Sequence, residues 1–346
     1  METRKIIAEY YYGVDLHAKK NYICVLNKDG DVMLKHNIKN NFQTFKQNIR
    51  HFLPNLAIGC ESTYNYYWLA DGCHKQGLRF HLGHAFYMKA ISGHKKKNDP
   101  LDAETIANLL RTSFFPEAFP YPEEMRATRD LLRRRHRLVR LRAEAYTHIQ
   151  LVCHQYAITD VSGADVRNKD ARQLLLGRFL TGDVRTNIVT DVQLIELLDP
   201  IIDELEQNIL KQAKHHNYRD YALLLSTPGI GTMIALNILY EIHDIKRFKT
   251  VQKFSSYCRV VKCDRSSAGK RKGFKNQKIG NPYLKWAMSE IIVNAQTNEE
   301  IKKYANKLES KYGRRRARAQ SAHKFAVAIY FMLKNSEPFD LERFLK

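Results

Sequence analysis

An α/β unit at the N-terminus, followed by a mainly helical remainder, is the fold class this sequence predicts. Three observations predict it: strand-like apolar alternation over the first 40 residues, alternating helix and strand as far as about residue 83, and long helical periods from about residue 123. At 346 residues the chain exceeds one typical core, so two or three units are expected.

The segments YYYGVDLHA, NYICVLN and VMLKHNI, the last two separated by a DGD turn, read as three antiparallel strands. Phe42, Phe45, Ile49 and Phe52 then fall at helical spacing, NLAIGCEST reads as a buried strand ending on Glu61, a helix is expected from about Tyr64 to Gln76, and LRFHLG is a short strand. Three meander strands ahead of the helices is the order of a ribonuclease-H-like (RuvC-like) fold; a doubly wound sheet would begin with strand, helix, strand.

From about Glu123 to Ala157 the chain predicts one long helix, with Leu131, Leu138, Ala145 and Val152 at heptad steps and Leu141 between them. A second helical stretch covers about Asp191 to His216, and Pro200 either kinks it or opens it behind an Asp199 N-cap. Residues 158–190 show no clear period. Together these form a helical coiled-coil arm. A last, mainly α unit begins near Tyr221 with LLLSTPGIGTMIALNILYEI and is followed by a basic helical tail containing GRRRARAQ. The expected boundaries are 1–120, 121–218, 219–300 and 301–346.

Lys and Arg total 57 against 36 Asp and Glu, a net charge of +21, which points to a polyanionic partner and above all to nucleic acid. No apolar run is long enough to span a bilayer and the N-terminus lacks a signal-peptide core, so an unexported, cytoplasmic, nucleoid-associated protein is expected. The six cysteines form no CxxC pair and lie mostly in apolar stretches, which argues against disulfides and zinc.

Against this basic background four acids stand out. Asp15 lies inside an apolar strand and Glu61 at a strand end, while Asp99 and Asp102 are three apart around Pro100, as N-cap and N3 residue of a helix. In a ribonuclease-H-like sheet the first strand is central and the fourth lies beside it, so the first two carboxylates converge and the opening helix brings two more. Such a group needs cations, and hard oxygen donors suit Mg²⁺ or Mn²⁺. Two ions about 3.5–4 Å apart would clamp a phosphodiester. Taken singly, each acid is more readily read as a helix cap or a solvated charge, but an acid inside an apolar strand, as at Asp15, is harder to read that way.

A second constellation, VKCDRSSAGKRKGFKNQKIGNPYLKWA, sets Ser266 and Ser267 among Lys262, Arg265, Lys270, Arg271, Lys272 and Lys275. A serine attacking a phosphodiester needs nearby positive charge. Composition alone favours a plainer reading, a basic surface loop that only contacts phosphate. In STPGIGTMIALNIL, Gly229 and Gly231 precede a helix, as in a helix-hairpin-helix element whose backbone N–H groups bind phosphate. Six arginines (133, 134, 135, 137, 140 and 142) crowd the long helix with few interleaved acids, which favours nucleic-acid contact through Arg133, Arg134, Arg137 and Arg140. His17, His94 and His148 have no partners at metal-ligand spacing and receive no role; Tyr64, Tyr66, Tyr67 and Trp68 are expected mostly in the core.

GVDLHAKKNYICVL, the GCEST strand and KKNDPLDAETIANLLR resemble the DEDD transposases of bacterial insertion sequences of the insertion-sequence-110 type, relatives of the Piv DNA invertases. LLLSTPGIGTMIALNILYEI and FSSYCRVVKCDRSSAGKRKGFKNQKIGNPYLKWAM resemble the C-terminal transposase domain of the same family, in the same order. The resemblance implies that Asp15, Glu61, Asp99 and Asp102 are the DEDD acids. It further implies that a serine forms a covalent phosphoserine intermediate with DNA and that composite sites form through the arm in a dimer or tetramer. A structured non-coding RNA would bridge donor and target DNA. The family shows Ser followed by Gly where this chain has Ser-Ser-Ala-Gly; alignment on the small residue selects Ser267, while counting back from KIGN selects Ser266. Ser267 is taken as the nucleophile. The rival expectation is a RuvC-like, structure-selective endonuclease that hydrolyses DNA through metals alone.

Overall fold

A computed structural model describes residues 5–92, 99–179, 182–213, 216–262, 264–267, 270–274 and 279–346, with the backbone alone at 90, 92, 264–267 and 270–274. The chain divides into two compact units, Met1–Glu123 and Glu124–Lys346.

In the first unit β1 (Tyr10–Leu16), β2 (Lys20–Asn27) and β3 (Val32–Lys39) form the expected antiparallel meander. After α1 (Phe42–Ile49), β4 (Leu56–Glu61) adds to β1 in parallel; after α2 (Tyr67–Lys75), β5 (Arg79–Gly83) adds to β4 in parallel. Then come α3 (Ala85–Ser92), α4 (Asp99–Arg111) and the two-residue β6 (Glu117–Ala118), which pairs antiparallel with β5. The strand order 3-2-1-4-5-6 makes β1 central with β4 beside it, compatible with a ribonuclease-H-like domain.

Both faces of this sheet are covered. Tyr12, Val14 and Leu16 of β1 join Phe45 and Ile49 of α1 and Leu69 and Cys73 of α2 in one core, while Tyr11 packs with Ile106, Leu109 and Leu110 of α4 on the other side. Double burial is why β1 reads as a nearly continuous apolar run. The second helix starts at Tyr67, not near Tyr64: Tyr66 is buried, Tyr67 and Trp68 pack on the core, and Tyr64 alone of the four is exposed. α3 and β6 were not foreseen.

In the second unit α5 (Glu123–Gln155) is followed by α6 (Gly163–Arg167), α7 (Lys169–Leu176) and α8 (Gly182–Ala213). The two long helices pack antiparallel: Leu138 meets Leu198 and Ile202, while Ala145, Ile149 and Val152 cluster with Ile188, Val192 and Ile195. Leu138, Ala145 and Val152 sit in that seam as the heptad predicted, whereas Leu141 is exposed and Leu132 is buried next to the expected Leu131. Pro200 lies inside α8, so the helix neither starts nor ends there, and Asp199 pairs with Arg142 at 2.6 Å where a cap was expected. The aperiodic stretch holds two short helices, started by side-chain caps at Ser162 and Asn168.

Next come α9 (Tyr218–Leu225), α10 (Thr232–Ile242), α11 (Val251–Tyr257), a hairpin of β7 (Asp264–Ser267) and β8 (Lys270–Phe274), and α12 (Pro282–Asn294). The residues from 301 onward are not a separate tail. α13 (Glu299–Tyr312) and α14 (Arg314–Asn335) pack into this unit, α14 burying Phe325, Ile329, Tyr330 and Leu333, and α15 (Leu341–Leu345) seats Phe344 on Phe325. Cys24, Cys60, Cys73, Cys153 and Cys258 are free and buried, as expected; Cys263 lies outside the described residues. Among the described residues no helix is long and apolar enough to cross a membrane.

Candidate active site

Sheet register fixes the first two acids. β1 and β4 run parallel with Gly13 opposite Gly59 and Val14 opposite Cys60, so Asp15 and Glu61 stand one step further, at the C-terminal ends of adjacent strands. Residues in register on parallel strands share a face, and alternation puts these two on the side of Gly13 and Gly59. That is the side covered by α4. A methyl group built on Gly13 would lie 2.1 Å from the Ala103 carbonyl oxygen and 2.6 Å from the Ala107 nitrogen, and one on Gly59 would meet Leu110. The two glycines therefore let α4 lie directly on the strands, with its first turn, carrying Asp99 and Asp102, over their acidic ends.

The helix begins at Asp99, one position earlier than an Asp99 N-cap would place it. The Asp15 side chain is 16% exposed against 53% for Asp99. Burial raises the Asp15 pKa above its ordinary value; His17 opposes the rise, and the Asp102 and Asp99 carboxylates add to it. Glu61 and Asp102 are half-buried.

His17 is the residue that sequence reasoning missed. Its Nε2 lies 3.0 Å from Asp15 Oδ2 and 3.4 Å from Asp99 Oδ2, and Asp15, His17 and Asp99 can offer ligand atoms that all fall within 4.8 Å of one another. The signal was present as Asp-Leu-His, the two-residue spacing that puts neighbours on one face of a strand. His148, also left without a role, bonds Asp191 at 2.5 Å; His94 lies outside the described residues.

Ser266 and Ser267 fall in β7, where Ser266 pairs with Arg271 and Ser267 with Lys270. The serine segment is thus a β-ribbon, not an irregular loop. Its side chains, including those of Arg265, Lys270, Arg271 and Lys272, and the whole of Lys275 lie outside the described residues; Lys262 is exposed just before the ribbon. The flanks converge: the Asn281 N–H donates to the Tyr257 carbonyl oxygen at 2.7 Å and the Arg259 guanidinium donates to the Gly280 carbonyl at 2.6 Å and 2.9 Å.

The PGIG turn joins α9 to α10. Gly229 has φ +84°, and a methyl there would lie 2.5 Å from the Ala295 nitrogen, so this glycine serves the packing of the turn on the end of α12. Gly231 is the N-cap of α10 and has open space around its Cα.

The arginine cluster divides. Arg133, expected as a nucleic-acid contact, donates two hydrogen bonds to the buried Glu241, at 2.7 Å and 2.8 Å, because α10 brings that carboxylate to it from 108 residues away. Arg135 pairs with Glu206 and Arg142 with Asp199, both at 2.6 Å. Arg140 is exposed and pairs with Glu144, one turn on; Arg134 and Arg137 are exposed, with no ion pair among the described residues.

Comparison with known proteins covers both sets of motifs. Residues 12–158 match a transposase family of the DEDD, IS110 type, and residues 221–306 match the family described as Transposase IS116/IS110/IS902. Over 250 residues, 70% of this chain and 68% of the relative, the sequence is 25% identical to a Coxiella burnetii protein named transposase for insertion sequence element IS1111A.

Proposed function

The chain belongs to the IS110-type DEDD transposases, enzymes that cleave and transfer DNA, and from that membership we propose that Asp15, Glu61, Asp99 and Asp102 are its DEDD carboxylates and Ser267 its nucleophile. The observation that carries the reading is the convergence of β1, β4 and the first turn of α4, which sets acids from three elements around one sheet end.

The family implies divalent metal, and the donor set fits: hard carboxylate oxygens, one of them, on Asp15, with a pKa raised by burial and by the neighbouring Asp102 and Asp99 carboxylates. Mg²⁺ or Mn²⁺, as two ions, would be held by the four acids and would supply charge neutralisation at the scissile phosphate. Asp15 and Glu61 anchor that group from the rigid strands, and Asp99 and Asp102 complete it from the helix. The Ser267 hydroxyl oxygen attacks a backbone phosphorus, forming a phosphoserine ester. The bond from phosphorus to the departing deoxyribose oxygen breaks, and that oxygen gains a proton as the serine loses one. Lys262, Arg265, Lys270, Arg271, Lys272 and Lys275 offset the charge that develops.

Gly231, capping α10 with no side chain in the way, supports a helix-hairpin-helix phosphate contact at the PGIG turn. Exposed Arg134, Arg137 and Arg140 support nucleic-acid binding along α5, where donor and target DNA and a structured bridging RNA are the partners. The antiparallel α5–α8 pair is the coiled-coil arm through which subunits assemble as a dimer or tetramer.

Denaturing a reaction on element-end DNA tests the chemistry. A covalent protein–DNA adduct is expected in the wild type and absent in Ser267→Ala. Loss of the adduct in Ser266→Ala alone moves the nucleophile to Ser266. Cleavage that survives replacement of both serines refutes the covalent step and leaves a hydrolytic endonuclease.

A further inference from the structure

The four-carboxylate reading leaves one side chain at the site without a role. His17 Nε2 stands 3.0 Å from Asp15 Oδ2 and 3.4 Å from Asp99 Oδ2. Ligand atoms on neighbouring corners of an octahedral ion with bonds of about 2.1 Å are about 3 Å apart, and those on opposite corners about 4.2 Å. The two separations from His17 Nε2, 3.0 Å and 3.4 Å, are close to those of neighbouring corners, and all three side chains can offer ligand atoms within 4.8 Å of one another.

The position of His17 is also fixed by more than chance contact. Its N–H donates to Asn21 Oδ1 at 3.2 Å, and its carbonyl oxygen accepts from Asn40 Nδ2 at 3.2 Å and Asn65 Nδ2 at 2.9 Å. Asn21 is fully buried, and Asn65 follows the strand that ends in Glu61. The amide of Asn65 thus ties the loop after one DEDD acid to the turn after another. A side chain that merely shielded Asp15 would not need its backbone held from three elements; a metal ligand does, because coordination tolerates little misplacement.

We infer that His17 is a nitrogen ligand to the ion held by Asp15 and Asp99, and that it biases this site toward Mn²⁺ over Mg²⁺. The inference rests on the carboxylate metal site proposed above. Its chemical basis is the ligand preference of the two ions: Mg²⁺ keeps to oxygen and water, whereas imidazole nitrogen suits the transition metals better.

Pulsed electron paramagnetic resonance on the full chain loaded with Mn²⁺ alone reads the coordination directly. Wild type is expected to show a nitrogen coupling to the bound Mn²⁺ that disappears in His17→Ala and in His17→Gln, the latter keeping a polar side chain of similar length. Calorimetric titration of the same proteins should show Mn²⁺ affinity falling at least about tenfold in both variants, with a much smaller change for Mg²⁺. Mn²⁺ bound without nitrogen coupling, coupling that persists in both variants, or equal losses for the two ions would each overturn the role of His17 while leaving the carboxylate site standing. A wild-type chain that binds no Mn²⁺ would overturn the carboxylate site and the inference together.

Discussion

Gly13 and Ala103 are in backbone contact: a methyl group on the glycine would sit 2.1 Å from the alanine's carbonyl oxygen. Backbone cannot give way as a side-chain tip can, so Gly13→Ala must push α4 off the sheet. The expected cost is about 1–3 kcal/mol, as for overpacked cores, seen as a lower melting temperature. Because α4 carries Asp99 and Asp102, strand cleavage should fall further than the loss of folded protein accounts for. Gly59→Ala should be milder in both respects, since the atoms nearest its added methyl belong to the Leu110 side chain, which can shift.

The Asp102 carboxylate, half-buried in the first turn of the helix that Gly13 seats, helps to raise the Asp15 pKa. Asp102→Asn is expected to reduce strand cleavage by roughly a hundredfold or more while nucleic-acid binding in a filter or mobility assay stays intact. Unchanged cleavage removes Asp102 from the metal site.

The raised pKa of Asp15 makes a prediction about stability. An acid whose pKa is higher in the folded chain than in the unfolded one binds its proton more tightly when folded. The stability this confers is complete below the unfolded value, about 4, and is lost as pH rises through the raised folded value. Asp15→Asn should therefore melt at a higher temperature than wild type at neutral pH in chelator, with the gap closing as the pH is lowered through that window. Added Mg²⁺ should stabilise wild type and not the variant. Identical melting curves across this pH range would show that Asp15 carries no such penalty.

Glu241 is the hub of a buried network: Arg133 donates twice to it, and Asn281, which also caps α12, donates to it at 2.6 Å. Glu241→Ala strands a half-buried guanidinium and the amide together. The expected loss is about 3–5 kcal/mol by denaturant titration, with much of it recovered when Arg133→Met and Glu241→Leu are combined.

What the sequence disclosed and what it hid follow from how far apart the interacting residues lie. The meander, the helices after it and the acids were legible because alternation, helical spacing and an acid amid apolar residues are all local signals. Arg133, Arg135 and Arg142 were misjudged as an unbalanced cluster because their carboxylates, Glu241, Glu206 and Asp199, come from helices 57 to 108 residues away. Pro200 left two readings open locally, a kink or a helix start, and the position of Pro200 inside α8, beside Leu198 and Ile202 packed on α5, removes the second. His17 was passed over because its partner Asp99 is 82 positions distant and reaches it only through the seating of α4 on the sheet.

That division among the arginines yields separate expectations for stability and for binding. Arg134 and Arg137 are exposed on α5 with no ion pair among the described residues, so replacing either with alanine should leave the melting temperature within experimental error. If they lie against phosphates, each substitution should weaken nucleic-acid binding by a similar factor for all sequences. It should also reduce the slope of log affinity against log salt by about one, since one fewer counterion is displaced. Arg133→Ala should do the reverse, destabilising the fold through the stranded Glu241 while leaving the salt slope of the protein that remains folded unchanged. A slope that falls for Arg133→Ala and holds for Arg134→Ala and Arg137→Ala would mean that the nucleic acid runs along the other side of α5, and that the Glu241 pair opens to admit it.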